Sequence, residues 1–256
     1  MTGEIRRAAR LLAVRRQVAV LTGAGISVES GIPDFRSAEG LWARFDPQEY
    51  ATIGAFRRDP AKVWRMLAEM EAVLEAARPN PAHEALARLE AAGVVTGVIT
   101  QNIDGLHQEA GSRRVVEFHG SHRTFSCPSC GGGYTREQAR ARGLPPPCDC
   151  GALLKPDVVL FGETIPADAL EESYRLAGRC RAMLVIGTSA EVAPANQMPW
   201  VAKRNGAAVI EVNLEPSHLT ESVSDVFLQG PAGRVVEELA EEVLALSAGM
   251  SDLGED

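Results

Sequence analysis

Short, uninterrupted apolar runs alternate along this chain with longer stretches in which apolar residues recur every three or four positions. Gln17 to Thr22, Val94 to Thr100, Ala182 to Thr188 and Ala207 to Asn213 are rich in β-branched residues and show no in–out alternation. That is the pattern of strands covered on both faces. Ile5 to Arg16, Ala61 to Ala77, Ala82 to Ala92, a stretch near Asn196 to Asn205 and Arg234 to Leu246 carry the helical period instead. Buried strands alternating with helices predict an α/β fold built on a doubly wound parallel sheet. Ligands of such sheets bind outside the carboxyl ends of the strands. Three predicted strand ends carry polar or glycine-rich residues at that point: Thr22-Gly23-Ala24, Thr100-Gln101-Asn102-Ile103-Asp104 and Gly187-Thr188-Ser189.

The first of these ends opens a longer run, Gly23-Ala24-Gly25-Ile26-Ser27-Val28-Glu29-Ser30-Gly31-Ile32-Pro33-Asp34-Phe35-Arg36. Glycine lets the backbone approach a phosphate closely, and free N–H groups opening a helix favour an anion. A nucleotide is therefore the expected ligand. The third glycine of the usual dinucleotide fingerprint is replaced by Val28, which weakens a plain dehydrogenase reading. Asp34, Phe35 and Arg36 instead put a carboxylate, a ring and a guanidinium beside the loop, a set equipped to act on the ligand.

The α/β alternation is interrupted once, from about Gly120 to Pro156, where Cys127-Pro128-Ser129-Cys130 is followed after 17 residues by Cys148-Asp149-Cys150. Two close cysteine pairs at that separation have the spacing of a structural zinc site, each pair forming one knuckle. Four thiolates leave no open position for water, so the metal is expected to hold this insertion together and take no part in chemistry. Cys180 stands alone near a strand start and reads as a core residue.

Composition narrows the rest. With 256 residues the chain can bury a sizeable core without disulfides, as one large domain or a domain with an insertion. Its 26 basic and 34 acidic residues give a net charge of −8 spread along the chain, which speaks against direct nucleic-acid or anionic-membrane binding. No apolar run approaches the roughly 18 residues of a membrane span, so a soluble, cytoplasmic protein is expected. The last residues, about 249–256, read as a disordered tail.

Together, the Gly23 to Arg36 run, Thr100-Gln101-Asn102-Ile103-Asp104-Gly105-Leu106-His107, Phe118-His119-Gly120, the paired cysteines, Pro156-Asp157-Val158-Val159-Leu160-Phe161-Gly162-Glu163, Gly187-Thr188-Ser189 and Val212-Asn213-Leu214 resemble the sirtuins, NAD-dependent protein lysine deacylases. The motifs occur in order from about Val18 to Ala232. The resemblance implies a single catalytic domain: a Rossmann-like part over about 1–36, 78–119 and 157–248, and a small part made of a helical segment, 37–77, and a zinc module, 120–156. Its ligands would be NAD as co-substrate, a structural zinc ion, and acyl-lysine protein substrates, with acyl-CoA synthetases as natural targets.

The roles that follow are what this resemblance implies. His119 is the general base, an imidazole whose ordinary pKa of about 6.5 suits proton removal from a ribose hydroxyl at neutral pH. The acyl-lysine carbonyl oxygen attacks the ribose carbon as nicotinamide leaves, the 2′-hydroxyl attacks the resulting imidate, and water releases lysine and O-acyl-ADP-ribose. Asn102 and Asp104, with Gln101 and Ile103 beside them, position the ribose and the nicotinamide carboxamide. Gly23, Ala24, Gly25, Asp34, Phe35 and Arg36 surround the pyrophosphate and the nicotinamide exit. Gly187, Thr188 and Ser189 take the adenosine half, Asn213 and Leu214 its ribose, and Ala232 the adenine. Cys127, Cys130, Cys148 and Cys150 hold zinc, while Val159, Phe161, Gly162 and Glu163 form the edge to which the peptide adds as a strand.

Gly40-Leu41-Trp42 and Val63-Trp64 resemble the sirtuin branch that includes many bacterial enzymes, some of which remove succinyl or malonyl groups through a Tyr and an Arg in the helix after the Val-Trp pair, where this chain has Leu67 and Met70. An acyl carboxylate would meet hydrocarbon there, so deacetylation, with tolerance for longer apolar chains, is expected, with Arg65 the cation a turned helix could bring in. Protein mono-ADP-ribosyl transfer and a non-catalytic NAD or ADP-ribose sensor are the rival readings. Of the other histidines, His83 and His107 read as structural, and His122 and His218 as exposed and idle; Trp42, Trp64 and Trp200 read as core or cleft packing.

Overall fold

The strand β1 (Val18–Thr22) lies inside a parallel sheet with β2 (Val95–Thr100) on one side and, across the other, a strand from much later in the chain. The remaining strands are β3 (Val115–Glu117), β4 (Gly120–Ser126), β5 (Gly133–Thr135), β6 (Lys155–Val158), β7 (Ala182–Ile186), β8 (Ala208–Asn213) and β9 (Val226–Gln229). A computed structural model describes residues 2–34 and 40–251 of the chain. Its main sheet has six strands in the order β3-β2-β1-β7-β8-β9, all parallel. The order reverses direction between β1 and β7, and a crevice opens at the carboxyl ends of two strands that diverge this way.

The uninterrupted apolar runs are explained by burial on both faces. Val18 and Val20 point into one cluster with Leu12, Leu86, Leu89, Val236 and Leu239, while Ala19 and Leu21 point into the other with Ile99, Leu176, Met183 and Met198. Helices Thr2–Arg15, Pro81–Ala91 and Ala232–Ser251 cover the first face, and Ala167–Arg179 and Met198–Arg204 the second. Each fully buried Val or Leu stabilises this arrangement by about 1.5–3 kcal/mol. The helix expected near Asn196 is a short 3-10 turn, Ala195–Gln197, leading into Met198–Arg204. The closing helix continues through Gly249 to Ser251, past the point at which the tail was expected to begin; 252–256 lie outside the described residues. The edge strands β3 and β9, of three and four residues, are too short to leave a pattern of their own.

The inserted segment forms a separate antiparallel sheet, β5-β4-β6. Helix Pro60–Ala76 packs against it: Asp59 caps the helix by accepting from the Lys62 N–H at 2.9 Å, with Pro60 in the first turn. The Trp64 indole donates to the Leu154 carbonyl at 2.8 Å and its ring stacks on Phe125 at 6.2 Å. These contacts join Trp64, Met66 and Leu67 to Phe125, Leu154 and Leu160 in a third apolar cluster. Gly120 connects the two sheets at φ +75, where a Cβ would stand 2.0 Å from the Asp157 carbonyl oxygen, so only glycine fits. Among the described residues, no helix is long and apolar enough to cross a membrane.

Candidate active site

The loops after β1 and β7 meet backbone to backbone. A Cβ on Gly23 would lie 2.8 Å from the Gly187 oxygen, one on Gly25 2.7 Å from the Gly187 Cα, and one on Gly187, itself at φ +60, 2.4 Å from the Ile26 nitrogen. All three positions therefore require glycine. The same contact changes the expected anion cradle: the Gly23 N–H donates to Ile186 at 3.0 Å and the Gly25 N–H to Gly187 at 2.9 Å. A 3-10 helix of seven residues, Ala24–Ser30, follows in place of a long helix, and the Ala24 N–H is left open to a ligand among the described residues. Asp34 closes the described part of the run by accepting from the Leu41 N–H at 3.0 Å; Phe35 and Arg36 lie outside the described residues.

The loop after β2 is fastened beneath this cradle. The Gln101 N–H donates to the Thr22 carbonyl at 3.0 Å, and its side-chain amide to Thr188 Oγ1 at 3.1 Å. Asn102 spends both amide hydrogens internally, on the Gly23 carbonyl and on Ser27 Oγ, each at 3.1 Å. Its Oδ1 is left as the acceptor, so Asn102 can take a hydrogen from a ligand and has none to give. Asp104 is held by Ser27 Oγ at 2.7 Å and by the Leu106 N–H at 3.0 Å. Ile103, between Asn102 and Asp104 in sequence, is half-buried. Ser27 thus links Asn102 to Asp104, and Asn80 ties the 3-10 helix down through the Ile26 carbonyl at 2.7 Å and Ser30 Oγ at 2.9 Å. Neither Ser27 nor Asn80 was assigned a role from sequence. The signals were a serine inside the glycine run and an Asn-Pro helix start.

A second layer lies below. Thr22 Oγ1 donates to Thr100 Oγ1 at 2.8 Å and meets His107 Nε2 at 3.0 Å. His83 completes the N-terminal cap of helix Pro81–Ala91 and packs edge-on against His107, ring centroids 4.9 Å apart. Burial pushes His83 down to about 4, with Asp104 opposing, and pushes His107 well below its ordinary range. Both are structural, as expected. His218 is exposed and meets Glu191 at 3.4 Å. His122 is a correction: expected at the surface, it is 5 % exposed and its Nδ1 meets the Ile103 carbonyl at 2.5 Å. Cys180 and Trp64 are buried, whereas Trp200 is 43 % exposed.

His119 follows β3 and faces this floor. Its Nδ1 lies 3.1 Å from the Gln101 carbonyl. A carbonyl only accepts, so Nδ1 carries the hydrogen and Nε2 is the ring's proton acceptor. Burial lowers its pKa below 6.5, against the raising effect of the Gln101 bond, so the ring is neutral at pH 7. The His119 carbonyl accepts from the Val159 N–H at 2.8 Å, which fixes the expected peptide edge beside His119. Along that edge Phe161 is already paired: its N–H donates to Ala51 at 2.8 Å and its carbonyl accepts from Ile53 at 3.0 Å. Its backbone is therefore not open to a peptide as expected, and its half-exposed ring, 6.3 Å from Trp42, is what it offers. The Glu163 carboxylate accepts from the Leu160 N–H at 2.8 Å and the Glu163 N–H donates back to Leu160 at 2.9 Å, leaving the Gly162 N–H open among the described residues.

Across the crevice, the Asn213 amide donates to the Thr188 carbonyl at 3.0 Å and its Oδ1 accepts from the Leu214 N–H at 3.1 Å, with Leu214 56 % exposed. Ser189 is exposed, and Ala232 is buried at the start of the closing helix. Leu67 and Met70 line a small void with Ile103, Val158 and His122, while Arg65 reaches outward to the Tyr50 hydroxyl at 3.4 Å. No cation takes the place of Met70 among the described lining residues.

The four cysteine sulfurs lie within 4.8 Å of one another, with Cys127–Cys150 at 3.5 Å and Cys130–Cys148 at 3.6 Å. A zinc tetrahedron with bonds of about 2.3 Å has edges of about 3.8 Å, so the all-thiolate set fits zinc. The Cys150 N–H and the Tyr134 hydroxyl push the Cys148 thiol down to about 6, towards the thiolate a metal needs. β4 carries the chain from His119 to Cys127, roughly 25 Å of extended backbone, which keeps a metal there away from His119.

The Sir2 family model matches residues 23–194. An NAD-dependent protein deacylase 2 from Pyrobaculum aerophilum is 52% identical over 236 residues, 92% of this chain and 94% of that protein. A solved Sir2 homologue–NAD complex superposes with a TM-score of 0.87 at 44% identity, covering 94% of each chain. Sir2Af2 bound to a myristoylated histone peptide superposes with a TM-score of 0.84 at 41% identity, covering 97% of this chain and 100% of that one. The glycine-locked crevice, the His119 imidazole above it and the four-thiolate module thus sit in the order and fold of those proteins, and the chain belongs to the Sir2 family, the sirtuins.

Proposed function

We propose that this protein is an NAD-dependent protein lysine deacylase that removes acetyl and other apolar acyl groups, with His119 as general base. The observation that carries the reading is the His119 tautomer: Nδ1–H is spent on the Gln101 carbonyl, and a neutral Nε2 remains to take a proton. NAD fits the residues present, since glycine at three contact points lets the loops after β1 and β7 close to backbone distance. When bound, it supplies the ribose carbon that the acyl oxygen attacks, with nicotinamide as leaving group.

The chain's own residues supply position and proton transfer. Asn102 Oδ1 accepts from a ribose hydroxyl, Asp104 fixes the carboxamide, and His119 Nε2 takes the hydroxyl proton. Gln101, Thr188 and Asn213, already bonded to one another's loops, hold the two halves of the nucleotide in register. Ala24, Asp34, Phe35 and Arg36 are assigned to the pyrophosphate side, Ser189 and Leu214 to the adenosine side, and Ala232 to the adenine. The peptide adds as a strand along Val159-Phe161-Gly162-Glu163 and pairs through Gly162, which gives affinity with little demand on sequence. The cysteine module is structural. Leu67 and Met70 offer hydrocarbon to the acyl chain, so a buried acyl carboxylate goes unpaired and succinyl groups are disfavoured. Its targets are acyl-lysine proteins, with acyl-CoA synthetases among them, in the cytoplasm, where thiolates stay reduced enough to hold zinc.

Mass spectrometry of matched acetyl-lysine and succinyl-lysine peptides, with and without NAD, tests this reading. NAD-dependent loss of acetyl ahead of succinyl supports it. Faster loss of succinyl overturns the apolar assignment, and ADP-ribose attached to protein without acyl loss makes the enzyme a transferase.

A further inference from the structure

His122 takes no part in the reaction described above. It stands on β4 three residues beyond His119, 5 % exposed, with Nδ1 2.5 Å from the Ile103 carbonyl. Because that carbonyl only accepts, Nδ1 carries the hydrogen, and in this tautomer Nε2 is an acceptor. Among the described residues nothing donates to it. His122 lines a void of about 10 Å³ with Leu67, Met70, Ile103, Val158 and Glu71, which is the room of a single water molecule.

On the deacylase reading the void lies against the acyl chain, because Leu67 and Met70, which that reading gives to the chain, line it. Ile103 separates Asn102 from Asp104, and Val158 precedes the Val159 N–H that is bonded to His119. A chain that extends past the acetyl carbon therefore meets hydrocarbon walls with one lone acceptor set into them. An unpaired acceptor in such a place favours a donor of hydroxyl size. Glu71, which lines the same void and accepts from Arg136 Nε at 2.5 Å, repels a second carboxylate.

We propose that His122 reads a hydroxyl on the acyl chain, so that the enzyme takes hydroxyacyl-lysine in preference to the matched unsubstituted acyl-lysine. The inference rests on the deacylase reading. It assigns His122 Nε2 as the acceptor of the acyl hydroxyl hydrogen, a specificity contact that leaves the chemistry at His119 unchanged.

The test compares kcat/KM for butyryl-, 3-hydroxybutyryl- and 4-hydroxybutyryl-lysine peptides, with acetyl-lysine alongside, using the zinc-loaded protein and NAD. Wild type, His122→Phe and His122→Gln are assayed together. For the better-placed hydroxyl, the hydroxyacyl-to-acyl ratio is expected to fall about five- to tenfold in His122→Phe, the worth of one neutral hydrogen bond, and to be partly kept in His122→Gln, whose amide oxygen can accept. The ratio is taken within each variant, so a general loss of folded enzyme divides out. Equal ratios in wild type and His122→Phe, with acetyl turned over, overturn the hydroxyl contact alone. No acetyl turnover in the wild type overturns the deacylase reading and this contact with it.

Discussion

The floor of the crevice and the wall of the proposed acyl pocket lie within a few residues of each other and are built on opposite principles. On the floor, Thr22, Ser27, Thr100, Asn102, Asp104 and Thr188 are buried polar groups whose hydrogen bonds are nearly all committed to one another. What a ligand meets there is a small remainder, chiefly Asn102 Oδ1 and His119 Nε2. Along the wall, Leu67, Met70, Ile103, Val158 and Phe125 present hydrocarbon with almost no spare volume. The floor is therefore rigid and chemically specific, since each buried donor or acceptor is costly to leave unmade. The wall is permissive in identity and strict in volume. On the proposed reading, one region fixes the reaction and the other selects the acyl group.

Predictions that break the floor have the larger effects. His119→Ala removes the proton acceptor, and kcat is expected to fall about 10²–10⁴-fold with NAD affinity largely kept, as read by nicotinamide release and by calorimetric titration. For the wild type, log(kcat/KM) against pH should turn down only below pH 6.5, because burial lowers the His119 pKa. Ser27→Ala takes away the hydroxyl that joins Asn102 to Asp104 and leaves a buried carboxylate lone pair unmet. A loss of about 10–100-fold in kcat/KM is expected, from an energy of about 1.5–3 kcal/mol for a hydrogen bond to a charged group. An unchanged rate for this variant would show that the two side chains are held by other contacts.

The wall responds by exchanging preference. Leu67→Tyr combined with Met70→Arg supplies the hydroxyl and cation that a dicarboxylic chain needs, and the succinyl-to-acetyl ratio of kcat/KM is expected to rise about tenfold or more. A double variant that loses acetyl turnover with no gain for succinyl would place the acyl chain elsewhere.

The smallest effect is on stability below the floor. His83, pushed down to about 4 by burial, stays neutral in the folded protein while the unfolded chain takes up a proton near 6.5. The unfolded state then binds more protons between those values, so stability is complete above pH 6.5 and is lost as pH falls towards 4. Urea unfolding at pH 7 and pH 5 should differ by about 2 kcal/mol from this group, and the difference should shrink in His83→Asn.

Much of this contrast could be read along the chain. The four inner strands, the cysteine pairs and the strand-end motifs announced themselves through apolar runs and spacing, because both kinds of signal are local. The commitments of the floor could not be read. That Gly23 and Gly25 spend their N–H groups on the end of β7 and the residue after it, or that Asn102 spends both amide hydrogens internally, depends on parallel pairings across more than 70 residues. His122 misled for the same reason. On β4 it looks like a polar residue of a polar strand, and only the approach of Ile103 and helix Pro60–Ala76 makes it interior. Phe161 likewise loses its backbone to Ala51 and Ile53, in a segment whose pairing left no sequence pattern.

The most direct test of the central claim is a product balance on the wild-type enzyme with an acetyl-lysine peptide: nicotinamide, free lysine peptide and O-acetyl-ADP-ribose, quantified together by liquid chromatography and mass spectrometry. The account predicts equal amounts of the three, because the floor presents a single base to a ribose whose carbon is attacked by the acyl oxygen. Nicotinamide released in excess of free lysine, with ADP-ribose recovered free or attached to protein, would contradict it.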